Sequence, residues 1–170
     1  YTDIQQPTAL GGITRGVSNL ELTGAYAAIA NSGTYIKPMF YTKILDEDGN
    51  VVIDNTPEER KVIKPSTAYL LTSAMEDVVN QGTGTACQLD DMTVAGKTGT
   101  TDAYNDLWFV GYTPYYTTTV WVGYDNPKTI SDLYGNTYPL RIWREFMSDI
   151  HQGLKNVEFK SYDGEKSTSS

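Results

Sequence analysis

Cysteine occurs once in these 170 residues, at Cys87. A single thiol closes no disulfide within the chain and completes no zinc site, which sets aside a disulfide-stapled module or a thiolate metal centre. Cys87 reads instead as a small apolar core residue. Histidine also occurs once, at His151. A catalytic histidine needs a nucleophile and an orienting acid, and neither is signalled beside it; near the end of a helix it is simply well placed for a positive charge. No stretch approaches the roughly 18 apolar residues of a membrane span, and the opening residues do not read as a signal peptide. Runs of basic residues are missing too. The formal net charge is −8 and the isoelectric point is near 4.5. Such a surface repels phosphate backbones, so nucleic acid is not expected as a partner. The acidic clusters Asp46-Glu47-Asp48 and Asp90-Asp91 lack the ligand spacing of a calcium loop, and neither a metal nor a cofactor is expected.

What is present reads as one folded domain. Hydrophobic residues make up 39% of the chain, enough that disorder does not apply to its body. Ser18 and Glu21 form a Ser-x-x-Glu capping box ahead of Leu22, Ala25, Tyr26, Ile29 and Ala30 at helical spacing, with Gly33 as the stop. Phe40 to Asp46 and Val51 to Asp54 read as a hairpin turning at Asp48-Gly49. A second helix follows Pro65 through Leu70, Leu71, Ala74, Met75 and Val78 to Gly82. Three strands are expected at Thr93 to Thr101, Leu107 to Tyr112 and Thr117 to Tyr124, with short links that make them antiparallel neighbours. A last helix runs from about Pro139 to His151 with Leu140, Trp143, Phe146, Met147 and Ile150 along one face. The fold class is α+β, an antiparallel sheet flanked by helices. Residues 1–156 form the body, and 157–170 are expected to be a polar, disordered tail. Most of the 13 tyrosines fall in strands and helices, where packing accounts for them.

The chemistry lies in Val94-Ala95-Gly96-Lys97-Thr98-Gly99-Thr100-Thr101. One predicted strand carries a lysine, neighbouring hydroxyls and two glycines. In a regular strand Lys97 and Gly99 point to one face, Thr98 and Thr100 to the other. Glycine inside a strand marks a place where another backbone approaches closely, and an extended peptide can add to such an edge as a further strand. Two threonine hydroxyls can hold a terminal carboxylate, and the lysine charge favours an anion. The local physics therefore describes an edge strand for an extended, carboxylate-ended ligand.

Lys97-Thr98-Gly99 resembles the third motif of the penicillin-binding proteins and serine β-lactamases. Its surroundings extend the likeness to the C-terminal part of the transpeptidase domain of a class A, bifunctional penicillin-binding protein. Gly82-Thr83-Gly84-Thr85-Ala86 is similar to that family's approach to the strand. Leu107-Trp108-Phe109-Val110-Gly111-Tyr112-Thr113-Pro114 and Val120-Trp121-Val122-Gly123-Tyr124-Asp125 resemble its next two strands. Leu10-Gly11-Gly12, Gly16-Val17-Ser18 and Ala25-Tyr26-Ala27 resemble the preceding helical stretch, and Ile142-Trp143-Arg144-Glu145-Phe146-Met147 the closing helix. The likeness covers roughly residues 7 to 150.

The resemblance implies a D,D-transpeptidase of peptidoglycan cross-linking, in which a serine attacks a D-alanyl-D-alanine bond and passes the acyl group to a neighbouring amine, and which β-lactams inhibit. It also implies the roles of individual residues. Lys97 polarises the nucleophile's hydrogen-bond network; Thr98 and Thr100 bind the carboxylate; the Thr100 N–H supplies half of an oxyanion hole; Gly99 lets the substrate backbone lie close; Thr101 belongs to the same substrate wall. Asp106 and Trp108 stand near the cleft rim, with plain core packing the simpler account of Trp108. The family's nucleophilic Ser-x-x-Lys and its Ser-x-Asn are both missing here. They precede the Lys-Thr-Gly strand in the family, so an upstream segment of the same protein is the expected partner, alongside the stem peptide and β-lactams. The sheet is expected to be incomplete without that segment, with the Phe40 to Asp54 hairpin an elaboration. A glycosyltransferase domain and a membrane helix holding the protein on the extracytoplasmic face are implied further upstream. Two alternatives stand beside this reading. A serine β-lactamase shares the strand but not the tryptophan-rich strands after it. A non-catalytic domain of the same fold would act as a sensor or scaffold in cell-wall assembly.

Overall fold

The computed structural model describes residues 3–162. A 3-10 turn, Gln6–Leu10, leads to α1 (Asn19–Ala30). The Ser18 hydroxyl accepts the Glu21 N–H at 3.2 Å while the Glu21 carboxylate accepts the Ser18 N–H at 2.8 Å, the reciprocal cap that the sequence signalled. Gly33, at φ +87°, turns the chain out of the helix. A Cβ there would collide with the Ile63 carbonyl oxygen, so only glycine lets these two segments meet.

The next four strands form two ribbons. β1 (Thr34–Ile36) pairs antiparallel with β4 (Glu59–Lys61), and β2 (Lys43–Leu45) with β3 (Val51–Asp54). The second ribbon is the expected hairpin, turning at Gly49 with φ +84°. The first was not anticipated. Its strands have three residues each, no apolar alternation, and in β4 only charged side chains; what pairs them is the Gly33 turn, whose carbonyl accepts the Val62 N–H at 2.9 Å.

α2 (Pro65–Gln81) starts with proline in its first turn, where the missing N–H costs nothing. Its buried stripe is Ala68, Thr72, Met75 and Val79. Of the apolar residues expected along this helix, Leu70, Leu71, Ala74, Met75 and Val78, Met75 is buried, but Leu70 stays 66% exposed and Leu71 42%. A short 3-10 turn, Thr85–Cys87, then leads to the central sheet of β5 (Ala95–Thr100), β6 (Asp106–Tyr112) and β7 (Thr117–Gly123), antiparallel in that order. α3 (Tyr138–Ile150) closes the described fold.

Because side chains alternate along β6, the strand feeds two cores. Phe109 packs edge-on to Trp143 of α3, with ring centroids 5.2 Å apart, among Val79, Cys87, Leu140 and Met147. On the opposite face Tyr112 joins Ala95 and Met75, with Tyr26 and Ile29 of α1 against them. The sheet thus lies between α1/α2 and α3, the α+β sandwich expected. Burial pushes the Cys87 thiol up to about 12, as a plain core residue requires. On α3 the expected stripe holds at Leu140, Trp143 and Met147, but Phe146 is half exposed. At 100° per residue it falls on the margin of that stripe.

His151 sits just past α3 and is buried. Its Nδ1 lies 2.7 Å from the Met147 carbonyl and its Nε2 lies 2.8 Å from the Thr113 hydroxyl, with Tyr115 and Tyr116 edge-on to the ring. The same Thr113 oxygen accepts the Tyr115 and Tyr116 N–H groups. The histidine therefore ties the helix end to the β6–β7 turn. Of the segment read as a polar tail, residues 157–162 are within the described chain. Phe159 lies edge-on to Tyr112 with centroids 5.4 Å apart, so packing continues past residue 156. The expected disorder of 163–170 concerns residues outside the described ones.

Candidate active-site strand

β5 is the edge strand of the central sheet and has one strand neighbour, β6, among the described residues. It carries Lys97, Thr98, Gly99 and Thr100, opposite Val110, Phe109, Trp108 and Leu107. Ala95 and Gly96 are buried while Lys97 and Thr100 are exposed, so the strand emerges from the core where the candidate residues begin. Gly96 and Gly99 sit against aromatic side chains: a Cβ on Gly96 would meet the Phe109 ring at 2.9 Å, and one on Gly99 would meet the Trp108 Cβ at 3.1 Å. These glycines therefore keep the strand flat against β6 as well as leaving its backbone approachable.

Lys97 shares its face with Trp108, Val110 and Tyr112. Its Nζ donates to the Thr98 carbonyl at 2.8 Å, and among the described residues it takes part in no ion pair. The ammonium thus stands exposed at the sheet's margin, with only a backbone oxygen for company. Trp108 is half buried and tilted against Trp121 at 6.2 Å. The Trp121 indole donates to the Asp106 carboxylate at 3.0 Å. Asp106 and Trp108 therefore belong to a ladder of side chains across β6 and β7 that borders the Lys97 face.

Thr98 and Thr100 point to the other face, and each hydroxyl has a partner that the sequence did not suggest. The Thr98 oxygen lies 3.1 Å from the Thr83 hydroxyl in the α2–β5 connection. The Thr100 oxygen accepts the Gly135 N–H at 3.1 Å from the β7–α3 loop. Thr101 differs from both. Its hydroxyl accepts the Asn105 and Asp106 N–H groups at 3.2 and 3.1 Å, so it closes the β5–β6 turn. No group of three or more histidine, cysteine, aspartate or glutamate side chains placed to hold a metal occurs among the described residues.

These features define a class of site: an open sheet edge with a cation, approachable backbone and two hydroxyls along a single strand, suited to receive an extended anionic peptide as one wall of a cleft. The profile of the penicillin binding protein transpeptidase domain matches residues 2–148. The chain belongs to that family, in its class A branch. It is 40% identical over 153 residues to penicillin-binding protein 1A of Aquifex aeolicus, covering 89% of this chain and 21% of that protein. It is 40% identical over 149 residues to penicillin-binding protein 1F of Bacillus subtilis, covering 82% of this chain and 20% of the relative. Among solved structures, the penicillin-binding protein PonA1 from Mycobacterium tuberculosis superposes with a TM-score of 0.71 at 34% identity, over 82% of this chain and 40% of that one. Penicillin-binding protein 1A from Haemophilus influenzae superposes with a TM-score of 0.75 over 85% of this chain and 28% of its own; at 20% identity it speaks for the fold alone. The chain thus spans about a fifth of the length of the curated relatives it matches.

Proposed function

We propose that the protein to which this chain belongs is a serine-type D,D-transpeptidase that cross-links peptidoglycan through an acyl-enzyme, and that this chain supplies the substrate wall. The observation that carries the reading is the edge strand Lys97-Thr98-Gly99-Thr100 within a transpeptidase-family fold. In this reading Lys97 supports the nucleophile's proton network. The Thr98 and Thr100 hydroxyls bind the ligand carboxylate, and the Thr100 N–H faces the oxyanion. Gly99 lets the substrate backbone approach, and Thr101 holds the end of the wall through its turn. The nucleophile comes from an upstream Ser-x-x-Lys segment, with a Ser-x-Asn beside it. Exposed apolar residues support such a neighbour. Leu20 of α1 and Leu70 and Leu71 of α2 stand 48%, 66% and 42% exposed, apolar side chains that an upstream part of the domain would cover. Stem peptides and β-lactams are the ligands, the extracytoplasmic face of the membrane is the workplace, and the anchor lies outside this chain. No helix among the described residues is long and apolar enough to cross a membrane.

The test is intact mass of the full-length protein after incubation with a penicillin. One drug mass is expected, mapping to a serine upstream of residue 1. Lys97→Ala is expected to slow acylation by about 10²- to 10⁴-fold, the size of a lost proton-transfer contribution. A folded full-length protein that takes up no drug would overturn the enzymatic reading in favour of a scaffold. Unchanged acylation by the Lys97→Ala protein would remove Lys97 from the mechanism.

A further inference from the structure

The two hydroxyls of the candidate carboxylate cradle are each held from outside the strand, and by partners of different kinds. The Gly135 N–H can only donate. By accepting it at 3.1 Å, the Thr100 oxygen uses a lone pair and keeps its own proton free. Gly135 is itself buried and pressed onto the sheet. A Cβ there would lie 2.5 Å from the Gly99 carbonyl oxygen and 2.9 Å from the Gly99 nitrogen, and would overlap the Trp108 carbonyl. The loop around it is fastened at several points. Ile130 N–H donates to the Tyr104 carbonyl at 2.9 Å, Tyr104 and Tyr134 meet edge to face at 5.6 Å, and Thr137 closes a turn onto Tyr134. At the other end of the cradle, the Thr83 and Thr98 oxygens lie 3.1 Å apart, and either can be the donor. An ionised carboxylate only accepts. Once one is bound, the Thr98 proton must go to it, and Thr83 must donate to Thr98.

We propose that Gly135 and Thr83 are positioning residues, which hold the Thr100 and Thr98 hydroxyls with their protons directed at the carboxylate of an extended anionic ligand. This rests on the transpeptidase reading and names two residues that act through the strand rather than on the ligand. It explains why a glycine stands at 135, where no larger residue fits without moving the loop off β5. It also gives the Thr83 hydroxyl a role in the approach to the strand.

The experiment compares second-order acylation of the full-length protein by a penicillin and by its methyl ester, which lacks the anionic carboxylate. The quantity read is the acid-to-ester rate ratio, which a general loss of folding does not move. The wild type is expected to favour the acid. Thr83→Val, at an exposed site and nearly the same in shape, is expected to lower that ratio about 2- to 10-fold, the weight of one neutral hydrogen bond. Thr83→Ser is expected to restore it. Gly135→Ala is expected to lower it by at least as much. A wild type that favours the acid, with Thr83→Val and Gly135→Ala keeping the full ratio, overturns the positioning role while leaving the transpeptidase reading intact. A wild type that reacts equally with both overturns the carboxylate cradle and this inference with it, whereas a folded wild type that reacts with neither overturns the transpeptidase reading on which they rest.

Discussion

The hydroxyls of Tyr112 and Thr72 lie 2.8 Å apart in the buried contact between β6 and α2. Tyr112 has no exposed surface and Thr72 is 5% exposed, so each is the other's replacement for water. This pair fastens α2 to the sheet two registers away from the Lys97–Val110 pairing.

Removing one partner strands the other. Tyr112→Phe leaves the Thr72 hydroxyl buried without a partner, and a loss of about 1–3 kcal/mol is expected. Thr72→Val should cost a similar amount by stranding the tyrosine. The double substitution should cost much less than the sum, because two apolar groups of the same shape meet cleanly. A thermodynamic cycle on the melting transition of the full-length protein measures this. Additive losses would show that the 2.8 Å contact carries no coupling.

The same tyrosine sets an alkaline limit. Burial, the largest cause, pushes its phenol up to about 12 from an ordinary 10.0. Nearby Tyr26 and Glu76 add to the rise, and the Thr72 hydrogen bond opposes it. The folded state therefore prefers the neutral phenol, while the unfolded chain ionises near 10. Stability from this group is fully present below about pH 10 and drains away as pH climbs towards about 12. Denaturant midpoints measured from about pH 9 to about pH 11.5 should fall for the wild type and fall less for Tyr112→Phe. Buried Cys87 titrates in the same direction and Tyr26 is also raised, so a residual decline remains. Parallel curves for the two proteins would place the alkaline weakness elsewhere.

Glu76 of α2 is shifted in the same direction, but its loss falls in the acid-to-neutral range and not at alkaline pH. Partial burial raises its carboxyl above the usual range, and the charges of Glu158 and Asp77 raise it further. Its charged form is thus tolerated rather than favoured in the fold. The group contributes most below about pH 4.5, where it is protonated in both states, and is a liability above its folded value. Glu76→Gln should raise the melting temperature at neutral pH by a small margin, on the scale of about 0.5 kcal/mol for a partly exposed site. That gain should shrink as pH falls towards 4. A variant less stable at pH 7 would mean that the carboxylate makes a favourable contact outweighing both repulsion and burial.

Much of this architecture was legible in the sequence because local chemistry and global fold agree. The Ser18/Glu21 cap, the Gly49 turn and the three sheet strands carry signals within a few residues of where they act. The Lys97 to Thr100 strand was legible for the same reason. What was not legible depended on partners far away in the chain. β1 and β4 meet only because Gly33 and Val62 bring them together. Leu70 and Leu71 looked like core because they are apolar at helical spacing, yet the stripe that meets the sheet is offset to Ala68, Thr72, Met75 and Val79. Phe159 lies in a polar stretch and gave no periodic signal, yet it packs on Tyr112. Within the site, Thr83 and Gly135 stand 15 and 35 residues from the threonines they touch. The Gly-rich approach could have pointed to the first. Nothing short of the folded β7–α3 loop points to the second.

Gly111 packs directly under Trp143. The indole ring lies over the Gly111 backbone: a Cβ there would sit 2.7 Å from the Trp143 Cζ2 atom and 3.1 Å from the Phe109 ring. The indole N–H is shared between the Gly111 carbonyl at 3.3 Å and the Thr118 carbonyl at 3.1 Å. One side chain of α3 therefore bridges two neighbouring strands and needs a bare backbone beneath it. Gly111→Ala should force the indole away and cost about 1–3 kcal/mol through overpacking. Trp143→Ala should cost about 3–5 kcal/mol by opening a cavity in the main core. Combining the two should cost less than their sum, because the added methyl enters space that the lost indole leaves free. The melting transitions of the three variants in the full-length protein decide this. If the double variant is fully additive, the alanine methyl is disturbing something other than Trp143, and Phe109 becomes the residue to examine.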